Sequence, residues 1–153
     1  MPPVVACILL LCVGCVGDDR PSPVSAQNER GPIVVRLTGA DYRWRARYAG
    51  PDGRFDTADD VMTEGDIRVP VDTPVELDLR SEDYLYTLAI PHLDLKEIAV
   101  PDLSFRLSFV PDAVGTFDLQ GDRMCGYDHA GLKTHLVVMP RSEFDHWRRK
   151  GNR

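Results

Sequence analysis

The sequence predicts an all-β sandwich or barrel, because short segments alternate apolar and polar residues with period two and Pro and Gly recur between them. A third observation sets where that fold begins: an apolar N-terminal run and a polar stretch precede the first alternating segment. Ile33 to Thr38 (IVVRLT) is β-branched and apolar, the composition of a strand. In Tyr42 to Tyr48 (YRWRARY) one face carries Tyr42, Trp44, Ala46 and Tyr48, while three arginines occupy the other. That pattern gives a strand with one core face and one solvated face. Val75 to Arg80, Phe105 to Phe109 and Thr116 to Gln120 repeat the alternation, and Thr134 to Met139 (THLVVM) reads as a last, more buried strand. Only Glu143 to Lys150 suggests a helix, after Pro140 and with Ser142 as candidate N-cap. Many short strands around one core make a sandwich or barrel with a short C-terminal helix.

Before the strands, Val4 to Gly14 (VVACILLLCVG) has the length of a signal-peptide apolar region and is too short to span a bilayer. The stretch Leu11-Cys12-Val13-Gly14-Cys15 resembles a bacterial lipoprotein box, in which Cys15 would be acylated after cleavage. The alternative is a plain signal peptide cleaved nearby; both place the mature chain outside the cytoplasm. An acylated Cys15 would anchor it to a membrane without a transmembrane helix. Gly17 to Pro32 is polar and Pro/Ser-rich and reads as a tether. The expected organisation is signal peptide and lipobox over 1–15, linker over 16–32, one domain over 33–147 and a basic tail over 148–153. That tail is a candidate contact for anionic headgroups.

Among 153 residues, 43% are hydrophobic and the net charge is −6. An acidic balance argues against a nucleic-acid partner, which would require a basic face. Cys7, Cys12 and Cys15 lie in the apolar run, so Cys125 is the one cysteine of the expected domain and no disulfide framework is indicated. No Ser/His/Asp grouping, phosphate-cradling loop or paired-carboxylate cleft emerges, so catalysis by this chain alone is not expected.

The densest chemistry is Met124-Cys125-Gly126-Tyr127-Asp128-His129, between two late strands. A thiol, an imidazole and a thioether are the soft and borderline donors that copper prefers. The same spacing also fits a buried free cysteine and a hydrogen-bonded histidine.

Around this loop the chain resembles the CuA domain of cytochrome c oxidase subunit II over roughly residues 33–147. That family has an aromatic strand, matched by Asp41 to Tyr48, and a segment S-x-D-V-I-H-S-F-W-V-P-x-L-x-x-K, matched by Ser81 to Lys96. Its P-G-x-Y/F turn corresponds to Ala113 to Phe117. Its metal loop C-x3-C-G-x-x-H-x2-M corresponds to Gly121 to Leu132, and its closing P-x-S/E-x-F-x-x-W to Pro140 to Trp147. The resemblance implies a cupredoxin-like Greek-key β-sandwich or barrel.

Carried over residue by residue, the ligand set is mostly replaced. Cys125 and His129 remain, but Gly121 stands for the other Cys, Tyr86 for the other His, Leu132 for the Met and Arg123 for the Glu whose carbonyl is a ligand. One thiolate cannot bridge two coppers twice, so a dinuclear centre is excluded. Three readings stay open: one copper ion on Cys125 and His129 with Tyr86 as a phenolate and Met124 or His135 completing the set; a vestigial site; or transient Cu(I) binding by Cys125, Met124 and His129. The first makes the chain an electron-transfer cupredoxin serving a redox protein or a respiratory complex. The second makes it a metal-free structural or assembly subunit of such a complex. The resemblance also marks Trp44 as a candidate aromatic through which electrons would enter.

Residues 51–60 gather four carboxylates, Asp52, Asp56, Asp59 and Asp60, around a Gly turn. A Ca²⁺ site and a solvated loop are the two readings; the ligand spacing of an EF-hand is missing. His92 and His146 have no partners at ligand spacing and read as surface residues.

Overall fold

In the computed structural model the described residues are 31–123 and 130–151. Ten strands form two five-stranded sheets: β1 (Ile33–Ala40), β2 (Arg43–Tyr48), β3 (Val61–Glu64), β4 (Ile67–Pro70), β5 (Val75–Ser81), β6 (Tyr86–Ile90), β7 (Leu95–Ala99), β8 (Phe105–Phe109), β9 (Gly115–Arg123) and β10 (Thr134–Met139). One sheet runs β3-β2-β1-β5-β8 and the other β4-β10-β9-β6-β7. Most neighbours are antiparallel, but β1 pairs parallel with β5 and β10 parallel with β4, which requires chain crossovers between the ends of the sandwich. The all-β expectation is met.

The period-two pattern places the core. Val35 and Leu37 of β1, Trp44 and Ala46 of β2 and Leu77 and Leu79 of β5 are fully buried on one side; Ile67, Leu88, Leu119 and Leu136 oppose them from the other sheet. Among the described residues every buried hydrophobic side chain lies between Ile33 and Phe144, so this unit contains its own core.

The outer face of β2 carries its arginines into ion pairs. Arg43 meets Glu64, Arg45 meets Asp41 and Glu82, and Arg47 meets Asp56 and Asp60. Asp56 also pairs with Arg36 of β1 at 2.7 Å, and the Arg36 guanidinium lies over the Phe55 ring. The acidic loop is therefore drawn onto the sheet. Its carboxylates are also engaged within the loop: Asp60 accepts the Asp56 N–H at 2.7 Å, and Asp59 accepts the Thr57 hydroxyl at 2.6 Å.

The one α-helix among the described residues, α1 (Arg141–Gly151), is longer than the sequence predicts at both ends. Ser142 lies inside its first turn rather than capping it, because the Pro140 carbonyl already accepts the Glu143 and Phe144 N–H groups. Arg148, Arg149 and Lys150 form the last turn instead of a frayed tail, where cations complement the carbonyl end of the helix. Phe144 seats the helix: it is fully buried and meets Tyr48 edge-on at 6.1 Å, with Trp147 at 5.0 Å from the same ring. Among the described residues no helix is long and apolar enough to cross a membrane.

Candidate functional site

The candidate metal residues divide between what is described and what is not. Met124, Cys125 and His129, like Cys15, lie outside the described residues. The described segments that flank them in sequence are the end of β9 and the single-turn 3₁₀ helix Ala130–Leu132; β9 pairs with the start of β6, and Gly131 meets the β1–β2 turn.

Tyr86 opens β6 and pairs in register with Arg123, the last described residue before the loop. Its ring is fully buried. Its hydroxyl donates to Asp83 Oδ1 at 2.6 Å and accepts the Tyr42 N–H at 3.3 Å. Burial and the neighbouring Asp83 carboxylate both push this phenol well above its ordinary pKa, so it keeps its proton at neutral pH. The ring fits because Gly39 on β1 has no side chain: a Cβ there would come within 2.5 Å of Tyr86 Cδ2.

Trp44 is equally enclosed. Its ring meets Tyr86 edge-on at 5.8 Å, and its indole N–H donates to the Leu132 carbonyl at 3.2 Å. That indole occupies the space beside Gly121. A Cβ on Gly121 would lie 2.7 Å from Trp44 Nε1, 3.0 Å from Leu132 O and 3.1 Å from Thr87 O. No room is left for a thiol there without moving the indole or two backbone carbonyls. Leu132 is fully buried and joins the apolar core.

The positions that would complete a dinuclear copper centre are therefore filled and internally satisfied. Among the described residues no buried side-chain polar atom lacks a partner, and no three His, Cys, Asp or Glu side chains converge on a metal position. Buried donors without partners would mark a site built for an ion. These residues do not fit a two-copper group. His135 also points elsewhere: β10 turns Thr134 inward and His135 outward, where its Nδ1 lies 3.1 Å from Asp66.

Around this pole the surface is aromatic and acidic. Tyr42 stacks on the exposed Tyr84 at 5.4 Å, Leu85 is exposed beside it, and Asp41, Glu82 and Asp83 surround them. Sequence reasoning found Tyr86 and Trp44 but missed Asp83, Gly39 and the turn at Tyr42. Asp83 was visible three residues before Tyr86; the contacts across the sandwich had no local signal.

Comparison with known proteins agrees with the two-sheet architecture and the order of motifs. The family described as cytochrome c oxidase subunit II, periplasmic domain, matches residues 43–139, and the chain belongs to that family. The fold is that of the periplasmic domain of subunit II (CoxB) of Bradyrhizobium japonicum, with a TM-score of 0.68, 20% identity, and coverage of 80% of this chain and 94% of that one. The alternative cytochrome c oxidase subunit 2 of Bradyrhizobium diazoefficiens is 28% identical over 135 residues, 74% of this chain and 49% of the relative. Cytochrome c oxidase subunit 2 of Thermostichus vulcanus is 27% identical over 124 residues, 81% of this chain and 35% of the relative. The chain thus spans between about a third and a half of the length of these relatives. Membership of a periplasmic-domain family places the domain on the extracytoplasmic side.

Proposed function

We propose that this chain is a subunit-II-type domain that has given up the dinuclear copper centre and serves a respiratory complex as a metal-free docking or assembly subunit. One observation carries the loss of the dinuclear centre: the space beside Gly121, where a second bridging thiolate would stand, is closed by the Trp44 indole, itself hydrogen-bonded to Leu132 O. Relatives named as cytochrome c oxidase subunits supply the class of partner. An acylated Cys15 would hold the domain at the membrane face where such a complex works.

A second reading is favoured by the retained Cys125 and His129, with Met124 alongside. A single copper ion there would supply one-electron transfer to or from a redox protein. Tyr86 does not assist it, since its hydroxyl is engaged by Asp83 and the Tyr42 N–H.

Loading the purified protein with copper, dialysing it and measuring bound metal and absorption separates the two. The docking reading expects no copper retained and no thiolate-to-copper band. One ion per chain, with a band lost in Cys125→Ser, would overturn it in favour of the second reading.

A further inference from the structure

The turn between β1 and β2 is built from two residues in the left-handed region, Asp41 at φ 51° and Tyr42 at φ 60°. Two-residue hairpins favour this geometry, but Asn and Gly normally supply it. A bulky tyrosine there stores strain that persists only where surrounding contacts fix it.

Those contacts come from one carboxylate and one phenol. Asp83 Oδ2 accepts the Asp41 N–H at 2.8 Å, and the Tyr86 hydroxyl accepts the Tyr42 N–H at 3.3 Å. Asp83 Oδ1 in turn accepts the Tyr86 hydroxyl at 2.6 Å and the Tyr84 N–H at 2.8 Å. Both N–H groups of the strained turn thus end on a pair of side chains from the β5–β6 connection. On its other side the turn touches the segment returning from the loop. A Cβ on Gly131 would fall 2.5 Å from Tyr42 O, so backbone meets backbone there. One residue on, the Leu132 carbonyl accepts the Trp44 indole.

We infer that Tyr86 and Asp83 are positioning residues: they clamp the β1–β2 turn, and through Gly131 the 3₁₀ turn Ala130–Leu132, into one conformation without metal. The inference rests on the metal-free reading above and deepens it. A docking surface gains affinity when it is ordered before its partner arrives, and here hydrogen bonds between side chains provide that order. The residue at the replaced imidazole position has become a cross-link of the fold.

Amide hydrogen exchange tests this on the parent chain, Tyr86→Phe and Asp83→Asn. Because Asp83 is exposed, its Asn variant is expected to fold even if the Phe variant does not. Loss of a hydrogen bond to a charged group predicts local opening about tenfold to a hundredfold faster at Asp41, Tyr42, Gly131 and Leu132, with β4 and β10 unchanged. A slowly exchanging Tyr86 hydroxyl proton should be visible by NMR in the parent and lost in Asp83→Asn. Unchanged exchange at the turn, or a hydroxyl signal indifferent to Asp83→Asn, overturns the clamp. Adding copper to the parent is a separate arm. Slower exchange at Gly131 and Leu132 with copper would contradict the metal-free reading, while the variants alone decide the clamp.

Discussion

Tyr86 donates to the Asp83 carboxylate three residues upstream and accepts the Tyr42 N–H of the β1–β2 turn, 44 residues away, so Asp83 anchors the pair. Desolvation pushes the Asp83 carboxyl upward, but the hydrogen bonds from Tyr86 and from the Asp41 and Tyr84 N–H groups outweigh it and hold its pKa below the ordinary value. Asp78 behaves alike: desolvation is outweighed by Ser104, Arg80 and Arg36. A carboxylate depressed by folding contributes stability above its unfolded pKa, about 3.9, and loses it as the pH falls through the folded value. The denaturation midpoint is therefore expected to drop as pH is lowered below about 4, and Asp83→Asn to shallow that drop. An identical acid profile in the variant would contradict the assignment. Gly121→Cys tests the closed site at the same scale. Overpacking against the Trp44 indole and two carbonyls is expected to cost about 1–3 kcal/mol in urea denaturation, and the added thiol to gain no copper. A variant as stable as its parent would mean the space is open. Of this site the sequence showed which donors were lost. It could not show that glycines at 39 and 121 make room for the two rings, because a glycine carries no sign of what approaches it.

The elements divide by how much of their environment is written locally. β2 was legible because Trp44, Ala46 and Tyr48 alternate with Arg43, Arg45 and Arg47, and the pleat turns that period into a buried face and an ion-paired face. β3 and β4 were not legible: VMTE and IRVP are four residues each, too short for a period to show, and pairing with β2 and β10 defines them. β6 and β7 were likewise not drawn as strands, since the turn at Pro91–Leu93 joins them without a Gly-containing hairpin signal. In the loop 51–60 the sequence showed the acids but not their partners, because the arginines that pair with Asp56 and Asp60 come from β1 and β2. For α1, Phe144→Ala should cost about 3–5 kcal/mol, the range for emptying a buried aromatic site. A loss under about 1 kcal/mol by urea denaturation would show that the helix is not part of the cooperative unit.

At the scale of the whole molecule, the fold of a subunit-II periplasmic domain is retained, while Tyr86, Gly121 and Leu132 stand at three positions that the resemblance assigns to copper ligands. The proposed docking role is compatible with this, since the surface around Tyr42, Tyr84 and Leu85 is carried by the sandwich itself. Membrane attachment adds a prediction of its own. With Cys15 acylated, the mature protein should partition with membranes and Cys15→Ser should release it to the soluble fraction; equal partitioning of the two would remove the lipid anchor from the account. The most direct measurement is a crystal structure of the protein grown with excess copper. A metal-free domain should show the Trp44 Nε1 to Leu132 O bond near 3.2 Å and the Tyr86 to Asp83 bond near 2.6 Å, with no copper signal within ligand distance of Cys125. A copper ion on Cys125 and His129, or an indole swung away from Leu132 to admit metal beside Gly121, would contradict it.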